Sequence, residues 1–404
     1  MANPQAVIGH RAPPAWAVGL AGLLSLAVAM GIGRFAFTPM LPLMVQAGQL
    51  DLGAGGWVAA ANYAGYLAGA LTAARTGWSA PRLAVVALLT TAALTAATAL
   101  SAPTAVWAAL RCLAGMASAR AFVATSVWCL GALANTGSAG WSSGLYAGVG
   151  TGIAVAGLLC LVGATAGVSA PMLWVQLAVL CLLLLLPVFL VLARLQRGTA
   201  PSGARPRAAA TPAGSWGLVL CYAVLGFGYI LPATFLPAMA RSLVDDPRWF
   251  GLTWPVFGTT AALSTLVAAR LLRRASRVQV WSVSHALMGL GVLLPSVWLN
   301  GWTIALSALL VGGTFMVVTL AGVQEMRARA TGDATALVSR MTAAFAIGQI
   351  AGPVLSSLLL HAWPEHGLDL ALQAGALSLF ASALWLWRAP SVSSASLQET
   401  SHAR

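Results

Sequence analysis

The sequence predicts an all-α membrane protein whose twelve transmembrane helices form two parallel six-helix halves. The first observation behind this is composition: of 404 residues 59% are hydrophobic and only 7% charged, with a mean hydropathy of +0.86, whereas soluble domains carry about 25% charged residues. The second is segmentation. A spanning helix needs about 20 mostly apolar residues, and the chain offers such runs one after another, parted by short polar or basic stretches. The third is an internal repeat: GIGRFAFTPMLPLM from Gly31 returns as GFGYILPATFLPAMA from Gly226. In register Gly31 falls on Gly226, Gly33 on Gly228, Leu41 on Leu236, Pro42 on Pro237 and Met44 on Met239, and the same offset carries LTAAR, ending at Arg75, onto LVAAR, ending at Arg270. A repeat this long in an apolar chain marks two parallel halves.

The elements follow in order. Helix 1 is predicted from Trp16 to Val45, bent where Pro39 and Pro42 remove backbone donors. It is read as a retained span rather than a cleaved leader, because its echo from Trp216 is internal. Helix 2 (Trp57 to Thr76) and helix 3 (Leu83 to Ser101) flank a basic loop with Arg75, Gly77 and Arg82, and helix 4 (Thr104 to Leu133) follows Pro103. Helix 5 (Gly144 to Val168) and helix 6 (Met172 to Ala193) complete a half spanning residues 1–193. Residues 194–215, rich in Ala, Pro, Gly, Ser and Arg, read as a linker. The second half, residues 216–388, holds helix 7 (Trp216 to Met239), helix 8 (Gly251 to Leu272), helix 9 (Val278 to Leu299), helix 10 (Trp302 to Gln324), helix 11 (Met341 to Ala362) and helix 12 (Leu370 to Trp387), with a polar tail at 389–404.

Charge sets the orientation. The net charge of +13 comes entirely from Arg, and on this topology nearly every loop Arg lies on the side of the N-terminus, with only Arg241 and Arg248 opposite. Both termini are therefore expected in the cytoplasm of a bacterial inner-membrane protein, and a nucleic-acid partner is not. Trp57, Trp107, Trp174, Trp302 and Trp363 fall near span ends, where indoles anchor at the interface. Cys112, Cys129, Cys160, Cys181 and Cys221 lie in apolar runs without ligand spacing, so buried thiols are expected and no metal or cofactor.

Several helices carry a resemblance. GIGRFAFTPMLPLM, NYAGYLAGAL from Asn62, RCLAGMASA from Arg111 and GVGTGIAVAGLL from Gly148 resemble the YbfB-like branch of the major facilitator superfamily. Arg111, Gly115 and Ala119 match that superfamily's R-x-x-x-G-x-x-x-A pattern, which the resemblance associates with the transport path and proton linkage. It implies a secondary transporter and not an enzyme. On that plan helices 1, 4, 7 and 10 line a cavity, 2, 5, 8 and 11 gate it, and the rest support. Two features depart from the family: Ala74 and Ala269 stand before Arg75 and Arg270, where the loop signature normally has an Asp, and the Gly-Pro step sits in helix 11 at Gly352-Pro353 rather than in helix 5.

Charge inside an apolar run is the main pointer to a site. Arg34 falls where its repeat partner is the neutral Tyr229, and Arg111 and Arg120 lie on opposite faces of helix 4. No Asp or Glu falls within a predicted span. Guanidinium forks without a carboxylate suit an anionic or polar metabolite; the alternative for each Arg is snorkelling or a bond to a helix carbonyl. Asn62, Gly65, Tyr66 and Gly69 form one stripe of helix 2, fit for packing or for a substrate hydrogen bond, and Tyr229 and Gln349 offer further polar groups. Pro39, Pro42, Arg75, Gly77, Pro237, Arg270, Gly352 and Pro353 are gate and hinge candidates. Coupling is left to Asp51 or His285, to a proton carried by substrate, or to a counter-anion, with an uncoupled uniporter as the remaining alternative; a monomer is expected. The rival readings are an efflux pump for amphiphiles and, more remotely, a membrane enzyme or sensor. Gly140-Trp141-Ser142-Ser143-Gly144 fits G-x-S-x-G, but without the strand a nucleophile elbow requires.

Overall fold

The computed structural model describes residues 13–73, 75–135, 142–198, 216–243, 251–272, 274–329 and 335–389. Gly140, Trp141, Asp245, Asp246, Arg248, most of the expected linker and the tail lie outside the described residues. The described residues form twelve long helices: α1 (Ala15–Gln46), α2 (Leu52–Ala73), α3 (Ala80–Ala97), α4 (Thr104–Asn135), α5 (Ser142–Thr165), α6 (Ala170–Gly198), α7 (Trp216–Leu243), α8 (Thr253–Leu271), α9 (Arg277–Val297), α10 (Gly301–Arg329), α11 (Thr335–Ala362) and α12 (Gly367–Arg388). There is no strand among the described residues, and of the G-x-S-x-G stretch the described part, Ser142 to Gly144, opens α5.

The sequence repeat reappears as repeated packing. Within the first half α2 packs on α4, α1 on α5, and α3 on α4 and α6; within the second α8 packs on α10, α7 on α11, and α9 on α10 and α12. Gly31 and Gly226 show why the motif keeps its first glycine: a Cβ at Gly31 would strike the backbone of Gly152 on α5, and one at Gly226 the carbonyl of Phe345 on α11. The halves meet along α5–α8 and α2–α11, a symmetric pair of seams. Among the described residues ten helices are long and apolar enough to cross a membrane on their own; α2 and α8 fall short of that measure.

Three expectations are corrected. Helix 1 does not bend at Pro42, which sits within the regular helix Phe37–Gln46; the break is a π-helical segment at Ala27–Ile32 followed by a turn through residues 33–36. Helix 10 does not stop at Gln324. It continues to Arg329 and takes in Glu325, which is 1% exposed and paired with Arg329 at 2.8 Å and Arg277 of α9 at 3.6 Å. Being apolar on average, the predicted span ended at the first charge, but the ion pairs let the helix run on. Finally, Trp57, Trp302 and Trp363 are exposed at helix ends, whereas Trp107 and Trp174 are buried, Trp107 with its indole N–H on Leu100 O at 3.2 Å.

Candidate functional site

The site begins with a missing proton. Pro39 has no N–H, so Phe35 O loses its regular helical donor. Thr38 N turns to Phe35 O at 3.2 Å, while Gly33 N and Phe35 N reach back to Val28 O at 2.8 Å and Met30 O at 3.0 Å. The carbonyl of Arg34, which Thr38 N would take in a regular helix, is left open on the side of α4. Arg111 fills that gap. Its Nη1 donates to Gly33 O at 2.8 Å and its Nη2 to Arg34 O at 2.6 Å, a fork that a guanidinium supplies and an ammonium does not. Arg111 is 1% exposed, so it does not snorkel. The R-x-x-x-G-x-x-x-A pattern holds it there: Gly115 abuts the Asn62 carbonyl, Ala119 abuts Gly69, and Asn62 Nδ2 donates to Arg111 O at 2.8 Å.

The same break turns the Arg34 side chain toward the second half. Its Nη2 donates to Gln349 Oε1 on α11, and Gln349 Nε2 donates to Tyr229 Oη on α7, so one amide joins Arg34 to its own repeat counterpart. The guanidinium carbon lies 3.8 Å from the Tyr66 ring centroid and 5.5 Å from that of Tyr63. Cation–π contacts of this kind are worth about 0.5–2 kcal/mol. Tyr229 stacks between Phe315 at 4.5 Å and Phe345 at 5.5 Å, and Phe35 meets Trp254 and Phe315 edge-on, each at 6.5 Å. Arg34 is 3% exposed, yet its Nε and Nη1 have no hydrogen-bond partner; Arg111 Nε and Asn62 Oδ1 are likewise buried and unpaired. Among the described residues the ion pairs involve Glu325, not Arg34 or Arg111. A cleft of about 300 Å³, part of it open at the mouth, runs past Arg34, Thr38, Asn62, Tyr63, Arg111 and Thr234, with Phe37, Leu41 and Ala59 as its apolar wall. Tyr63 Oη and Thr234 Oγ1 meet across the halves at 3.4 Å.

Not every candidate joins this site. Arg120 lies on the opposite face of α4 from Arg111, as the helical spacing requires, and donates to Thr72 Oγ1 of α2 at 3.0 Å; it is neither deeper in the cavity nor on backbone. Gly65 and Gly69 serve close packing of α2 on α4. Asp51 caps α2, accepting from Ala54 N at 2.7 Å. His285 is fully buried between α9 and α12: Nε2 accepts from the Trp281 indole at 2.9 Å, so Nδ1 carries the proton toward Ser382 Oγ at 2.9 Å. Both of its nitrogens are occupied, away from Arg34. Arg75 and Arg270 are exposed at the ends of α2 and α8, and Gly77 turns the loop with φ +66. Pro39, Pro42 and Pro237 line a second, largely apolar cleft beside Gly157, Cys160 and Trp254, while Gly352 abuts Ile230 and Pro353 lies within α11. Sequence reasoning missed Tyr63, Thr234, Phe315, Phe345 and Glu325. Tyr63 had a legible signal, standing three residues before Tyr66 on one helix face.

The chain is thus a multi-pass bundle of two equivalent halves, and two solved structures share that fold. A D-xylose–proton symporter superposes with a TM-score of 0.70 at 13% identity, covering 93% of this chain and 97% of that one. A mutant of the nucleoside transporter NupG gives 0.66 at 14% identity, covering 92% and 98%. At these identities the likeness shows the fold. No curated protein matches the chain. Residues 26–386 match the family described as "Uncharacterised MFS-type transporter YbfB", and the chain belongs to that family. Its members are transporters, not enzymes.

Proposed function

We propose that the protein is a secondary transporter of a small anionic metabolite, bound at Arg34 between two halves, residues 1–193 and 216–388, that rock about it in the bacterial inner membrane with both termini cytoplasmic. The observation that carries this is Arg34 itself: a guanidinium 3% exposed, between the halves, with Nε and Nη1 unpaired and no ion-pair partner among the described residues. A buried cation left this way is costly, and an oxyanion is the ligand that removes the cost. The charges that line the cleft are those of Arg34 and Arg111, so an anion is favoured over the lipophilic cations of an efflux pump, which would meet two arginines.

The same charge bears on coupling. With no carboxylate paired to it among the described residues, Arg34 in an empty site returns across the membrane unneutralised, which favours exchange of one anion for another over return of the empty carrier. Asp51, as a cap, and His285, with both nitrogens occupied, are not assigned a coupling role.

A thermal-stability screen of the purified protein against small organic anions, neutral metabolites and lipophilic cations tests the reading, on wild type and Arg34→Gln. A ligand at 100 times its dissociation constant adds about 2.7 kcal/mol. The expected result is stabilisation by an anion that is lost in the variant. Stabilisation by cations in both proteins would remove Arg34 from the binding site and the anion reading with it.

A further inference from the structure

Asn62 is held in one orientation. Its Nδ2 donates to the Arg111 carbonyl at 2.8 Å, so the amide cannot flip without losing that bond, and Oδ1 is left as an acceptor with no partner. The residue is 1% exposed and lines the same cleft as Arg34 and Arg111. A buried acceptor of fixed direction asks for an O–H or N–H on whatever fills the cleft. An ammonium is a poor answer, because Arg34 and Arg111 are the charges facing that space and no acidic residue lines it. A neutral hydroxyl answers it without repulsion. The remaining wall of Phe37, Leu41 and Ala59 is apolar.

We infer that the transported anion is a small hydroxycarboxylate, its carboxylate on the free N–H groups of Arg34 and its hydroxyl donating to Asn62 Oδ1. This rests on the anion reading above and narrows it. Arg111 offers its unpaired Nε as a further donor, while one N–H of each Nη is committed to the backbone of α1. The selectivity device is the acceptor: a ligand lacking the donor strands Oδ1 in the cleft, and a site built to bond a substrate hydroxyl rejects analogues without it far more strongly than a merely apolar pocket does.

The test is titration calorimetry on the full-length protein with 2-hydroxypropanoate and 3-hydroxybutanoate, each beside its deoxy and O-methyl counterparts. At least one hydroxy acid is expected to bind about tenfold or more tightly than both counterparts, the usual effect of leaving a buried acceptor unmatched. In Asn62→Ala the preference is expected to vanish while carboxylate binding persists; should that variant not fold, the comparison of ligands on wild type decides alone. Equal binding of hydroxyl, deoxy and O-methyl acids, all lost in Arg34→Gln, would overturn the hydroxyl inference and leave the anion reading standing. Failure of every carboxylate to bind, or binding indifferent to Arg34→Gln, would overturn both.

Discussion

Replacing Arg111 with Leu is expected to cause the largest loss of any single substitution, lowering stability by about 2–5 kcal/mol and abolishing transport. The variant strands the carbonyls of Gly33 and Arg34, both buried, and each unmet carbonyl costs about 1–3 kcal/mol. Removing a desolvated charge offsets part of that, but α1 cannot meet every carbonyl from its own backbone: if Thr38 N returned to Arg34 O, Phe35 O would be left open, because Pro39 has no N–H to give. Arg111→Lys separates charge from geometry. A lysine keeps the cation and lacks the planar fork, so it reaches one carbonyl well at most and is expected to restore part of the melting temperature and little of the flux. Melting in detergent, followed by tryptophan fluorescence, checks the first expectation. A variant as stable as wild type would mean that α1 holds its break without Arg111.

Gly258→Leu is expected to abolish flux with a smaller effect on folding, because it acts on the seam between halves. A Cβ at Gly258 would strike Ala154 N and Gly150 O of α5, and one at Gly150 would strike Ala262 N and Gly258 O of α8. Both obstacles are backbone, so no rotamer change relieves them and the helices must part. Cys160 reports the parting. It is 2% exposed and lines the apolar cleft beside Gly157, which itself abuts Pro255 of α8. In a background whose other cysteines are Ser, Cys160 is expected to react slowly with a polar maleimide in the parent and at least about tenfold faster with Gly258→Leu, as buried thiols are inert until exposed. Gly144→Ala is the control: nothing lies within 4 Å of a Cβ there, and helix propensity makes it neutral or slightly favourable, by about 0.5–1 kcal/mol. Unchanged Cys160 reactivity in Gly258→Leu would show that the seam tolerates the added side chain.

Much of this was legible from the chain. Composition and the Gly31/Gly226 repeat define the class and the two halves, because lipid forces backbone bonding within each helix and leaves apolar length as a readable signal. Arg34, Arg111, Tyr66, Tyr229 and Gln349 were legible as polar groups in apolar runs, and they do converge. Their connections were not. That Arg111 bonds the carbonyl of Arg34 itself depends on the break in α1: the missing N–H of Pro39 could be read from the sequence, but which carbonyls it would leave open to α4 could not. Glu325 was hidden for a related reason: hydropathy ends a span at a charge, while the helix continues when Arg277 and Arg329 neutralise it. Trp107 and Trp174 had the sequence position of interfacial anchors, and only packing buried them.

Counterflow in proteoliposomes bears most directly on Arg34 as the anion site. Vesicles loaded with an unlabelled small hydroxycarboxylate and diluted into the labelled acid should accumulate label transiently with wild type, and lose that accumulation by at least about a hundredfold with Arg34→Gln, the scale of removing a charged hydrogen-bonding partner from a buried anion. Accumulation that survives Arg34→Gln unchanged, or that appears for a lipophilic cation and for no anion, would contradict it.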